Sequence, residues 1–477
     1  MNILLRSSLI HLYQAGRVMI STDFFRILSI SRNNKTIFFT FSVVIVALIV
    51  DTSITKISDL VGSLQNDPSW RLSVFIIIAT AYAIAQYIIL IFIKTNSNEI
   101  RSKEKGLHLN VIHKIVTTVQ YLLTAILIFV IVQMIVTSVY NVVFIVASTM
   151  ISYGLAITML GILAQRFLLW FKSNRNFVVL SYGLSSIMLS INCALTFILV
   201  SHILLDKPTE VTQSYIASNP PFFIAGSAMT MLYSAYIITS ILSFVAIWIA
   251  TTLLLRHYSK RLGTIKYWIM LSIPLIYFLS QFLSLFLNVF ILLFKPNPIF
   301  FGVFFTLIFS LSKPVGGILF GVAFLTIARS ISQQSIVRNY MYISAYGLVL
   351  SFVSNEAIVL VDAPYPPFGL STISFMGLSS YLILVGIYSS AISVSEDSKL
   401  RQSIRRFAMN ESKLLDSIGS AQLEQEILRK AMPILKKQQS NIKEETGVQS
   451  SLTEEDMKQY LEEVLLEIGR KNSRGEG

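Results

Sequence analysis

The sequence predicts an all-α fold: a polytopic bundle of ten transmembrane helices, both termini cytoplasmic, with a helical cytoplasmic tail. Three observations predict it. Of 477 residues, 54% are hydrophobic and 13% are charged, whereas about a quarter of a soluble domain is charged. Ten apolar runs are long enough to cross a hydrocarbon core of roughly 30 Å. Lysine and arginine alternate between successive connections in the way the positive-inside rule requires.

The apolar runs fall near residues 36–55, 72–93, 115–138, 142–164, 177–203, 222–252, 267–294, 299–328, 340–361 and 368–392. The first is the shortest. Its strongly apolar part ends at Val50, so it crosses only by continuing through Asp51, and otherwise lies re-entrant. Charge tests the count, because a missed or invented span would scramble the alternation. The first 35 residues and the even-numbered connections carry 19 Lys and Arg, against four (Lys56, Arg71, Lys207 and Lys295) in the odd-numbered connections. This places the even connections and both ends in the cytoplasm. The multi-pass protein is thereby assigned to the plasma membrane.

The formal charge of +13 raises nucleic acid as a partner, but its distribution argues against that reading. Residues 1–394 hold 24 Lys and Arg against 10 acids, and residues 395–477 hold 14 against 15. The excess belongs to the loops between spans, where it reports topology. The expected partner is the lipid bilayer, and no nucleic acid.

Within the spans, an ionisable side chain is costly and is a functional hypothesis by default. Lys313 and Glu356 stand out. Lys313 lies near the middle of the eighth span, followed by Pro314, Gly316 and Gly317, which predict a kinked or broken helix. Glu356, behind Asn355, lies towards the outer end of the ninth span. At 1.5 Å per residue the two charges differ in depth by about 12 Å, which leaves direct pairing and a bridged contact both open. Gln281 and Asn288 on the seventh span are candidates to face this cluster. Gln120, Gln133 and Asn192 are further candidates to face it, although all of these amides have the alternative role of glue between helices, and Gly317-x-x-x-Gly321 marks helix contact.

An enzyme is not expected. The five histidines fall at or beyond span ends without a metal-ligand or nucleophile-base pattern, and His108 and His113 are read as solvated in a basic loop. No cofactor is expected, and the single cysteine, Cys193, excludes a disulfide within the chain.

The chain divides into a basic amphipathic segment (1–35), the ten-span domain (36–394), a helix (395–433), a polar linker (434–450) and a short amphipathic helix with its tail (451–477). Along 395–433 a 3.5-residue repeat places Leu400, Ile404, Phe407, Leu414, Ile418 and Leu428 on one face, a coiled-coil pattern interrupted by Gly419. The face has two readings: docking of a second copy or a cytoplasmic protein through residues 395–470, or folding back on the protein's own inner loops.

The stretch from Asn355 to Arg406, containing APYPPFGLSTISFMGLSSYLILVGIYSSAISVSEDSKLRQSIRR, and the run ETGVQSSLTEEDMKQYLEEVL resemble multi-span membrane proteins of ammonia-oxidising archaea, a group without an assigned activity. The resemblance covers the C-terminal third. It implies an archaeal cytoplasmic membrane and carries over no substrate or site residue.

Two functions fit these features. In the first and favoured one, the bundle is a membrane sensor or scaffold that signals through its tail helices. In the second it is a transporter or channel for a small solute or ion, with polar residues of spans seven to nine lining the path. Matching helix breaks in both halves would favour the second, but the third span, counterpart of the eighth, contains neither Pro nor Gly.

Overall fold

The computed structural model describes residues 34–58, 68–102, 109–212, 228–256, 263–280, 311–331, 335–362, 365–396 and 414–427, with residues 282, 289, 292, 429 and 433. The helices are α1 (Asn34–Ser58), α2 (Pro68–Ser102), α3 (Leu109–Thr137), α4 (Val142–Ser173), α5 (Phe177–Leu205), α6 (Ala228–Leu255), α7 (Thr264–Ser280), α8 (Ser312–Ser330), α9 (Ile336–Ser354), α10 (Val359–Asp362) and α11 (Leu370–Glu396). Residues 414–427 form a further helix, α12.

Each of the ten predicted runs overlaps a helix. Seven of these helical segments are long and apolar enough to cross a bilayer, whereas α1 and α7 contribute shorter apolar stretches, Phe39–Ile54 and Thr264–Ser280. The boundaries differ from expectation in two places. Helix α4 runs on to Ser173, so Arg166 and Lys172 lie on a helix and not in a connection. The ninth run is interrupted after Ser354 and resumes as α10.

Asparagines start α4 and α5: Asn141 and Asn176 stand just before them, and each side chain accepts the N–H two residues on, from Val143 and Val178. That satisfies one of the orphan donors of a helix start. Two three-residue strands, β1 (Val139–Asn141) and β2 (Glu210–Thr212), pair antiparallel with Tyr140 opposite Val211. They tie the turn before α4 to the segment after α5.

Helix α11 is the axis of the bundle, buried along its whole apolar length. It packs against α9 and α4 most extensively, and also against α1, α2 and α3. Small residues make this close approach feasible. Gly386 of α11 faces the Ser344 and Tyr340 backbone of α9, and Gly347 of α9 faces the Ile383 backbone of α11. The hydroxyls of Ser374, Ser379, Ser380, Ser390 and Ser395 donate to carbonyls three or four residues earlier on the same helix. These back-bonds satisfy most of the serine hydroxyls that the helix buries, although those of Ser371 and Ser389 find no partner among the described residues.

Polar cross-links fix the flank made by α2 and α3. Tyr82 donates to Gln120 Oε1 at 3.2 Å, Gln120 Nε2 donates to Ser374 O at 3.3 Å, and Gln86 pairs with Thr124. His113 departs from the solvated role expected of it. It is 7% exposed, with Nδ1 3.0 Å from the Tyr381 hydroxyl.

Helix α1 continues through Asp51, which is fully buried. Its Oδ2 accepts from the Thr372 N–H at 3.0 Å and from the Thr372 hydroxyl at 2.8 Å. Thr372 is in the first turn of α11, so Asp51 acts as an N-terminal cap supplied by another helix, at the end where a negative charge is stabilising. Asp51→Ala is expected to cost about 1–2 kcal/mol, read as a lower unfolding midpoint in detergent. Asp51→Asn, which keeps an acceptor oxygen, is expected to retain most of the stability. Equal losses in the two variants would contradict a capping role.

Candidate intramembrane charge site

Lys313 stands in the first turn of α8, which begins at Ser312 after a bend at Leu311. Pro314 is in that same first turn, where its missing N–H breaks no helical hydrogen bond. The break expected at Pro314 is therefore a helix start, and residues 299–310 of the predicted span lie outside the described residues. Gly316 and Gly317 do not loosen the helix, since both are helical and serve close contact. A Cβ on Gly316 would overlap the Phe244 ring, and one on Gly317 would lie 2.7 Å from Phe352 Cβ.

The partner end is α9. Its helix closes at Asn355, where φ is −83° and ψ is 52°, and the Asn355 N–H donates to Ser351 O at 3.1 Å. Asparagine suits a helix C-terminus because it tolerates non-helical geometry there. The start of α8 and the end of α9 thus meet inside the bundle.

Their junction holds a direct charge pair. Lys313 Nζ is 3.4 Å from Glu356 Oε1, donates to Asn355 O at 2.9 Å and lies 3.3 Å from the Tyr236 hydroxyl. An ammonium has three donors, and three acceptors surround it. The side chains of Lys313 and Glu356 are 8% and 15% exposed. The helix ends act in both directions: each charge faces the favourable end of the other helix but stands at the unfavourable end of its own, so the dipoles largely offset and the direct contacts hold the pair.

A second layer of polar groups holds Asn355. Its Nδ2 donates to Asn192 Oδ1 at 2.9 Å, and its Oδ1 accepts from the Tyr153 hydroxyl at 3.2 Å. Asn192 Nδ2 in turn donates to Thr239 Oγ1 at 3.3 Å. Side chains of α4, α5, α6, α8 and the α9 terminus therefore form one continuous network around Lys313.

Of the residues singled out in the sequence, Lys313, Asn355 and Glu356 come together. Asn192, a further candidate to face the cluster, belongs to the same network. Gln120 and Gln133 lie elsewhere: Gln133 accepts from the Asn141 N–H at 3.2 Å, in the turn before α4. Gln281 and Asn288 lie outside the described residues. The sequence reading missed Tyr153, Tyr236 and Thr239, because a Tyr or Thr inside an apolar run carries no signal distinguishing a network member from core packing. An apolar cavity of about 270 Å³ lies apart from the site, between α1 and α2 over Tyr82 and Phe375.

No family model, curated protein or solved structure matches this chain. The site rests on its own geometry.

Proposed function

We propose that this multi-span membrane protein transports a small solute or an ion along a path past the Lys313–Glu356 pair, and that it crosses the membrane ten times with both ends in the cytoplasm. The observation that carries the reading is the meeting of two helix ends at a buried charge pair. Helix ends inside a membrane expose backbone groups that are tolerated where they are buried in protein or line a pathway, and discontinuous helices are a recurrent way of building transport sites. A lysine held by a carboxylate, a carbonyl and a hydroxyl has exchangeable partners. A passing anion, or a proton on Glu356, would change what Lys313 binds and so loosen the junction of α8 and α9. Both side chains are only slightly exposed, so movement past them would require the junction to open.

The sensor reading drew its preference from the heptad face of the tail. Leu414 and Ile418 of that face are fully buried against the bundle, and Leu400, Ile404, Phe407 and Leu428 lie outside the described residues. For Leu414 and Ile418 this supports the second of the two readings of that face, folding back on the protein itself.

The test is flux in liposomes under an imposed membrane potential, with an interior pH dye for protons and radioactive sodium and chloride as ion probes. The wild type is expected to carry at least one of the three above protein-free liposomes. Lys313→Met with Glu356→Gln is expected to lower that flux about tenfold or more. Wild-type liposomes no leakier than protein-free ones, or a double variant with undiminished flux, would remove the reading.

A further inference from the structure

We infer that α12 is a built-in clasp that holds closed the end of the bundle formed by the α4 C-terminus, the α5 N-terminus and the α11 C-terminus, several helical turns from the charge site. Leu414, Leu415, Ile418 and Ala421 are each fully buried. Gly419 sits so close to α11 that a Cβ there would overlap the Val394 side chain. Three polar contacts fasten the same helix to the ends of α4 and α5. Trp170 Nε1 donates to Gln422 Oε1 at 3.1 Å, the Ser173 hydroxyl donates to Glu424, and Asn176 Nδ2 donates to the Ser417 hydroxyl.

One short helix thus ties together α4, α5 and α11. These are not peripheral elements. Helix α4 supplies Tyr153 and α5 supplies Asn192 to the network around Lys313. Helix α4 also grips α11 directly: the Ser152 hydroxyl donates to Ile373 O at 2.6 Å and accepts from the Gly377 N–H at 3.2 Å. Those two backbone groups are the pair that an α-helix joins to each other, so the hydroxyl spans one i→i−4 step of α11. Trp170, which α12 binds, stacks on Tyr388 of α11 with ring centres 6.3 Å apart. Parting the ends of α4, α5 and α11 to admit water from that side requires α12 to let go first.

The inference rests on Lys313 and Glu356 lying on a path, but its test does not need a known solute. The chain has a single cysteine, Cys193, which is fully buried beside Asn192 and makes a native reporter of access to the network. The full-length protein in sealed vesicles of either orientation is treated with a membrane-impermeant methanethiosulfonate. Two variants displace α12 without touching the network: Gly419→Leu, by overlap with Val394, and Ser417→Ala with Gln422→Ala, by loss of two contacts.

Each variant is expected to show faster tryptic cleavage of the tail. Each is also expected to show about tenfold faster Cys193 modification from the tail side, the size of effect expected from removing a modest closing interaction, with the rate from the opposite side unchanged. Faster cleavage with unchanged modification would make α12 a mere strap and overturn the clasp. Equal acceleration from both sides would mean general loosening and would also overturn it. Faster modification from the tail side in a protein that carries no flux would remove the transport reading and leave the clasp standing.

Discussion

Lys313→Met alone is expected to destabilise the folded bundle by about 3–5 kcal/mol, the range for removing one partner of a buried ion pair. The substitution leaves Glu356 without its countercharge in a largely dry site and leaves the Asn355 carbonyl without the ammonium that it accepts from at 2.9 Å. Glu356→Gln is expected to cost less. Its amide oxygen still accepts from Lys313, whose Asn355 and Tyr236 contacts persist. The double variant is expected to lie closer to the wild type than Lys313→Met does, because it leaves no unpaired charge behind. A double-mutant cycle read by unfolding in detergent should therefore give a coupling energy of about 2 kcal/mol or more. Additive single effects would show that the two side chains are neighbours without being partners. This measurement is independent of flux, so it separates the structural role of the pair from its proposed role in transport.

The residues of this pair were legible as unusual in the sequence, but their contact was not. The predicted depth difference placed Lys313 near the middle of one continuous span over residues 299–328. Instead α8 begins at Ser312 after a bend, and the Lys313 stem reaches the end of α9 at Asn355. Asn355 is the one local mark of the α9 stop, but Asn355-Glu356-Ala357 contains neither Pro nor Gly and is equally compatible with helix. Pro314 misled in the opposite direction: a proline inside a long apolar run reads as a kink, but in the first turn of a helix it is at home.

The same limit applies to Asp51 and to the tail. Asp51 looked like an interruption of a short span because its acceptor role depends on Thr372, 321 residues further along the chain. The heptad pattern around Leu414 and Ile418 correctly marks a face that is buried, but periodicity does not say whether a second chain or the same chain covers it. Apolar length was the dependable signal, with each run overlapping a helix. What it could not supply were the caps, crossings and network members that depend on distant residues.

The crossing of α9 and α11 should be the least tolerant place in the bundle. Gly386→Val is expected to destabilise at or beyond the upper end of the 1–3 kcal/mol common for overpacking, that is by about 3 kcal/mol or more. A Cβ at 386 would overlap the Ser344 hydroxyl and lie 2.7 Å from Ser344 N and Tyr340 O, and one at 347 would lie 2.8 Å from Ile383 N. Backbone atoms cannot swing aside as a side chain can, so the two helices must separate. The contrast is provided by Gly154 and Gly161 of α4, around which a Cβ would meet nothing within 4 Å. There Gly→Ala is expected to be neutral or to stabilise by up to about 1 kcal/mol through helix propensity. The consequence reaches the site as well. Helix α9 ends in Asn355 and Glu356 while Lys313 belongs to α8, so moving α9 away from α11 also shifts half of the charge pair. A Gly386→Val protein that unfolds in detergent at the wild-type midpoint would show that the crossing is looser than its glycines imply.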